Sequence, residues 1–264
     1  MNEFHTDTRL EETRTGGYRV DVSDRWSVGA GANGGYLAGL LAKGLLTATG
    51  RGDLRSLTVH CLAPGTPGMA ELQTGILREG RSATVIDANL SRDGKLLAVA
   101  RGVLAADREG PAWNVRSAPD FPDPESIERE QWPDPKMIRS RYDTRYVVGG
   151  FPAVRGPVAE VSGWIRPADH SPVDLAMLVA LCDAWPPPLL MLDGPSLMAT
   201  TIDLTVHLFD TLETPYDGWV AMTNRATISV DGYVDSETEA WTPDGRLLAQ
   251  ARQLMACTPW DPPA

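Results

Sequence analysis

The side chain in this sequence best placed for chemistry is Asp183. It stands near the end of SPVDLAMLVALCDAW (Ser171–Trp185), where every residue from Leu175 to Leu181 is apolar. A helix that is hydrophobic all round is a buried one. The run Pro186, Pro187, Pro188 then cannot continue it. A carboxylate at that end faces the negative pole of the macrodipole, and burial disfavours its charge as well. Both effects push its pKa upward, toward a usable general base. The plainer alternative is an aspartate that caps a loop.

Other constellations are weaker. Gly29, Gly31 and Gly34 spell G-x-G-x-x-G before a helix, with Asp53 about 20 residues on, as in a dinucleotide fingerprint. The context fails, because TATGRGDLRS is no strand and antiparallel strands follow where βαβ units belong. The glycines instead let the chain turn tightly into a helix N-terminus. There the N–H groups of Asn33, Gly34, Gly35 and Tyr36 can meet a carbonyl or phosphate oxygen. Alternatively they only permit close helix–sheet packing. No G-x-S-x-G elbow supports a serine triad. His60 and His207 occupy matching strand positions, which suits structural histidines as well as bases. The four histidines and three cysteines show no metal-ligand spacing, so neither metal nor cofactor is expected.

The elements that must position Asp183 occur twice. GYRVDV (Gly17–Val22) reads as a strand, YLAGLLAKGLL as a buried helix, and four antiparallel strand candidates follow from Ser56. The segment from 106 to 150 is rich in Pro and charge and reads as a surface connection. After it the pattern returns: PVAEVSGWIR as a strand, the Asp183 helix, then four more strands. Leu57-Thr58-Val59-His60 recurs as Leu204-Thr205-Val206-His207, and Asp93-Gly94-Lys95-Leu96-Leu97-Ala98 as Asp244-Gly245-Arg246-Leu247-Leu248-Ala249. The spacing is nearly kept, which marks an internal duplication. The expected domains are therefore 1–105, the 106–150 linker, and 151–264. An apolar helix wrapped by an antiparallel sheet is the hotdog arrangement, so the fold class is α+β, a double hotdog.

Superposing the repeats isolates what is not fold. Leu45 falls opposite Asp183, and Gly102 opposite Gln253. Polar residues have appeared in the second half only, where a requirement of the fold would act on both halves. The plainer alternative for Gln253 is that it faces solvent.

Composition narrows the partners. A net charge of −11 argues against nucleic acid and anionic membrane surfaces. No apolar run is long enough to insert in a bilayer, and the polar, acidic start is no signal peptide. Three scattered cysteines in apolar company fit reduced thiols and a cytoplasmic location.

With these residues in view, the chain resembles the acyl-CoA thioesterase II family, the TesB-like double hotdog enzymes. The resemblance covers nearly the whole length. It rests on the helix–strand order, LTVHCLAPGTPG, RDGKLLAVARG and their second-half counterparts. It implies that an Asp, a Thr and a Gln hold the hydrolytic water, at Asp183, at Thr201 in ATTIDLTVH and at Gln253 in AQARQLM. The implied reaction is direct hydrolysis of an acyl-CoA by Asp-activated water. Arg139, Arg141 and Arg145 are candidate contacts for the CoA phosphates. A non-catalytic acyl-CoA binding protein is the alternative; a hydratase ranks last, since no His lies in either helix. A duplicated chain pairs its sheets internally, which leaves a homodimer open.

Overall fold

The computed structural model describes residues 2–14, 16–29, 31–51, 53–132, 138–212 and 214–259. The first half opens with helix α1 (Glu3–Asp7) and strands β1 (Glu11–Glu12) and β2 (Tyr18–Val22). A small hairpin, β3 (Ser27–Val28) and β4 (Gly31–Ala32), leads into the long helix α2 (Gly34–Thr49). Then come β5 (Leu54–Cys61), β6 (Gly68–Glu79), β7 (Thr84–Arg92) and β8 (Lys95–Leu104). The second half contains β9 (Tyr142–Val148), β10 (Glu160–Pro167) and helix α3 (Leu175–Leu181). It closes with β11 (Leu197–Leu208), β12 (Val220–Val230), β13 (Tyr233–Trp241) and β14 (Leu247–Pro259).

Apart from the β3–β4 hairpin, the strands form one 12-stranded sheet, ordered β1-β2-β6-β7-β8-β5-β11-β14-β13-β12-β10-β9. From the centre outward the order is the same in both directions. At the centre β5 and β11 run antiparallel, with Thr58 opposite Thr205, Leu57 opposite Val206 and Val59 opposite Leu204. These are the repeated segments, so the seam is self-complementary in the manner of a two-fold interface. The Thr58 and Thr205 hydroxyls lie 3.1 Å apart across it. The chain is a double hotdog.

Both helices lie inside the curled sheet and touch each other. Asn33 caps α2, its side chain accepting from the Tyr36 N–H, and Gly50 closes it in the left-handed conformation. A Cβ on Gly35 would stand 2.5 Å from the Ala180 carbonyl oxygen, and one on Gly39 2.6 Å from that of Ala176. Gly35 and Gly39 therefore serve helix–helix contact, whereas a Cβ on Gly44 would stand 2.7 Å from Leu72 of the sheet. The N-terminus of α2 consequently meets the C-terminal end of α3. That second helix is shorter than the sequence pattern suggests. Asp174 caps it, and it ends at Leu181, so Asp183 occupies the turn beyond it.

The 106–150 segment is not all linker, and Tyr142–Val148 is a strand of the second half. Alternation places Tyr142 and Thr144 inward, and Asp143 and Arg145 on the other face, where they pair. The stretch before it is a strap over that outer face. Ala118, Phe121 and Ile127 pack on Trp164, Trp219 and Trp241, and the Trp164 indole N–H donates to the Pro122 carbonyl at 2.8 Å. Residues 133–137 lie outside the described residues. Among the described residues, no helix is long and apolar enough to cross a membrane.

Candidate active site

Asp183 sits where the two halves meet. Its Oδ2 accepts from the Gly35 backbone N–H at 2.8 Å and from Asn33 Nδ2 at 3.1 Å. Its Oδ1 accepts from Gln253 Nε2 at 2.8 Å. The awkward position at the end of α3 is thus offset from outside, because the carboxylate faces the positive N-terminal turn of α2. Asn33 does two jobs with one amide: its Oδ1 caps α2 while its Nδ2 reaches Asp183.

Three donors favour the charged carboxylate, yet the Asp183 pKa is raised to about 6. Burial is the dominant cause, and the bonds from Gln253, Gly35 and Asn33 counter it only in part. The group nonetheless keeps some exposure to solvent. A carboxylate of this kind is ionised at neutral pH and basic enough to take a proton.

Gln253 is the joint of the site. Its Nε2 donates to Asp183 Oδ1 and, at 2.7 Å, to Thr201 Oγ1. Both N–H bonds of the amide are therefore committed to protein. Gln253 accordingly fixes Asp183 and Thr201 relative to each other. The Thr201 oxygen accepts that bond, which leaves its own O–H to donate. On the other side of Gln253, Ser236 Oγ approaches its Oε1 at 3.5 Å.

Gly34 completes the arrangement. A Cβ there would lie 2.9 Å from Asp183 Oδ2 and 3.1 Å from Thr201 Oγ1. Only glycine keeps that space open. Of the four amides expected to face a ligand, three are used within the protein. Asn33 N–H donates to Trp26 O, Tyr36 N–H to Asn33 Oδ1, and Gly35 N–H to Asp183. Gly34 N–H alone has no acceptor among the described residues. The Tyr36 side chain is core, stacked on Trp26 with ring centroids 5.5 Å apart, its hydroxyl donating to the Asp7 carbonyl at 2.7 Å.

The competing nucleophiles and bases fall away. His60 and His207 are exposed on the outer face of the sheet. Burial, reinforced by the charges of Asp183 and Asp203, pushes the Cys61 thiol up to about 12, so it carries no thiolate at neutral pH.

Two family models cover most of the chain. The acyl-CoA thioesterase N-terminal domain matches residues 22–105, and the acyl-CoA thioesterase C-terminal domain matches 116–257. The chain belongs to the acyl-CoA thioesterase family. Membership assigns it acyl-thioester hydrolysis in general terms. Among solved structures, a hot dog protein of unknown function from Alicyclobacillus acidocaldarius is 26% identical, with TM-score 0.89 and 98% of each chain covered. A protein assigned as a thioesterase II from Thermobifida fusca is 26% identical, with TM-score 0.86 and again 98% of each chain covered. The acyl-CoA thioesterase II TesB2 of Mycobacterium marinum shares the fold at 16% identity, with TM-score 0.77, over 98% of this chain and 99% of that one. No curated protein sequence matches the chain.

Within this thioesterase, the register supplies the first-half counterpart of each site residue. Gln253 lies opposite Leu204, and Gly102 opposite Leu57. Both centre strands bulge at the same place, which sets Thr201 against Leu54. Ser236 is then matched by Ile86. Sequence reasoning missed Ser236, and it missed Asn33 as a partner of the acid. The one signal for Asn33 was its place before a helix start, which announces a cap and nothing more.

Proposed function

We propose that this protein hydrolyses an acyl-CoA to the free acid and CoA, with Asp183 as general base. What carries this reading is the junction at Gln253, which holds a carboxylate of raised pKa and a hydroxyl at fixed separation. A water between them donates one proton to Asp183 and accepts from the Thr201 O–H. Its oxygen attacks the thioester carbon, and the carbonyl oxygen takes up negative charge against the Gly34 N–H. When the tetrahedral intermediate collapses, the C–S bond breaks and the proton on Asp183 passes to the departing thiolate. The products are the carboxylic acid and the CoA thiol.

The deciding experiment follows free-thiol release from an acyl-CoA series by wild type and Asp183→Asn. The variant is expected to lose about 10²–10⁴-fold in kcat, the range for removing a positioned base. Undiminished release would reject Asp183 as the base. Acyl-CoA bound by the wild type and recovered intact after long incubation would favour the non-catalytic binding protein.

A further inference from the structure

Buried donors without acceptors concentrate on one wall beside Asp183. Such groups each cost about 1–3 kcal/mol and are few in native structures. Among the described residues, Tyr142 Oη and Trp185 Nε1 are buried with no hydrogen-bond partner, and Thr144 Oγ1 is buried with only the Tyr146 phenol to approach it. Their residues are only 3%, 5% and 4% exposed. Trp185 follows Asp183 by two positions, and the Asp183 charge reaches the Tyr142 phenol. Tyr142, Thr144 and Tyr146 alternate along β9 and share its inward face. The Tyr146 ring lies against Trp185, centroids 5.0 Å apart.

Beyond Tyr146 stands a cation. The Arg139 guanidinium hydrogen-bonds the Tyr146 phenol and lies 3.9 Å from the Phe151 ring centroid and 5.1 Å from that of Trp132. Among the described residues its Nη1 is buried without a hydrogen-bond partner, as is Trp132 Nε1. Arg141 pairs with Glu3 and Arg145 with Asp143. Arg139 forms no ion pair among the described residues, and Glu130 acts on it only from longer range. A largely buried guanidinium with no anion in contact with it calls for one.

We propose that this wall binds a carboxylate at the far end of the substrate's acyl chain, with Arg139 as its counter-charge and the β9 and Trp185 donors lining the approach. The inference rests on the acyl-thioester reading of the Asp183 site. An alkyl end would leave the Arg139 guanidinium without a counter-charge. A terminal carboxylate presents the planar pair of oxygens that a guanidinium fork fits. The CoA phosphates carry similar chemistry, but they belong to a large, strongly hydrated group. Two aromatic rings enclose Arg139, which suits a slender chain end.

The test compares esters of matched length, glutaryl-CoA against pentanoyl-CoA and adipyl-CoA against hexanoyl-CoA. Wild type should prefer the acid-tipped member of each pair in kcat/KM. Arg139→Met should lower that preference on the order of tenfold or more, mainly through KM, while the neutral esters stay within about twofold. Unchanged turnover of the neutral esters also reports an intact fold, and Arg139→Lys should retain part of the preference. Binding of the same pairs to Asp183→Asn, followed by calorimetry, needs no turnover and tests the wall even if the hydrolysis reading fails. No preference in wild type, or an equal loss on both members of a pair, would overturn the proposal. Equal losses on CoA esters that vanish with the phosphate-free N-acetylcysteamine esters would reassign Arg139 to the CoA phosphates.

Discussion

Two places in this molecule have the same address in the fold and opposite chemistry. In the second half Asp183, Thr201, Ser236 and Gln253 meet. At the corresponding positions of the first half stand Leu45, Leu54, Ile86 and Gly102, the three large side chains wholly buried. Leu45 there fills the space above the glycine, its Cδ1 standing 2.5 Å from where a Gly102 Cβ would be. The first half shows what a helix inside a hotdog sheet needs, a leucine packed onto a small residue. The second half shows what chemistry adds. A glutamine stands where the glycine was, an acid where the leucine was, and each buried polar group answers another.

The largest effect should come from carrying half of that change across. Leu45→Asp places an acid with no glutamine to meet it among leucines. A loss of about 3–5 kcal/mol is expected in urea unfolding. Adding Gly102→Gln supplies the missing donor and should recover more than about 1 kcal/mol in a double-mutant cycle. No coupling between the two would mean that the polar pair is not a transferable unit.

Next in size is the pH dependence of Asp183. Its proton is held more tightly in the folded chain, where the pKa is about 6, than at the ordinary value of 3.8. Stability from this group is therefore greatest at low pH. It falls as pH rises between those values and levels off above, by at most about 3 kcal/mol given the partial exposure. Asp183→Asn removes the dependence, so its stability relative to wild type should improve across that interval. Activity moves oppositely, since the ionised form is the base: kcat/KM should climb to a plateau with an apparent pKa near 6. A profile flat from pH 5 to 8 would break the link.

The smallest change concerns space rather than charge. Gly34→Ala puts a methyl 2.9 Å from Asp183 Oδ2 and 3.1 Å from Thr201 Oγ1. An activity loss of about 10–100-fold is expected with little change in Tm, because a displacement near 1 Å suffices for that penalty. Normal kinetics would show that the nucleophile and thioester approach from another side.

Much of this is legible in the amino-acid sequence. The repeated Leu-Thr-Val-His and Asp-Gly-basic-Leu-Leu-Ala segments fixed the halves on each other. With the halves aligned, Asp183 and Gln253 stood out as departures. What stayed hidden depended on contacts between halves. Asn33 and Gly35 reach Asp183 across about 150 positions of sequence, and nothing local distinguishes a cap that also binds an acid from one that does not. Strand β9 was obscured for another reason. In YDTRYVV the outward Asp143 and Arg145 are buried beneath the strap and paired, so their charges imitate a loop. The apolar alternation of an ordinary half-buried strand is absent there.

The central seam has a consequence for how the chain is made. During synthesis, β5 emerges complete while its partner β11 is still more than a hundred residues away. Until then the first half carries a bare strand edge, with a row of unpaired amides and carbonyls open to association. That edge is close to self-complementary, because its proper partner is its own sequence repeated. A chain halted after β8 has the register at hand to pair with another halted chain. The tether joining the halves wins by proximity: the correct β11 arrives at a high effective concentration on the same molecule.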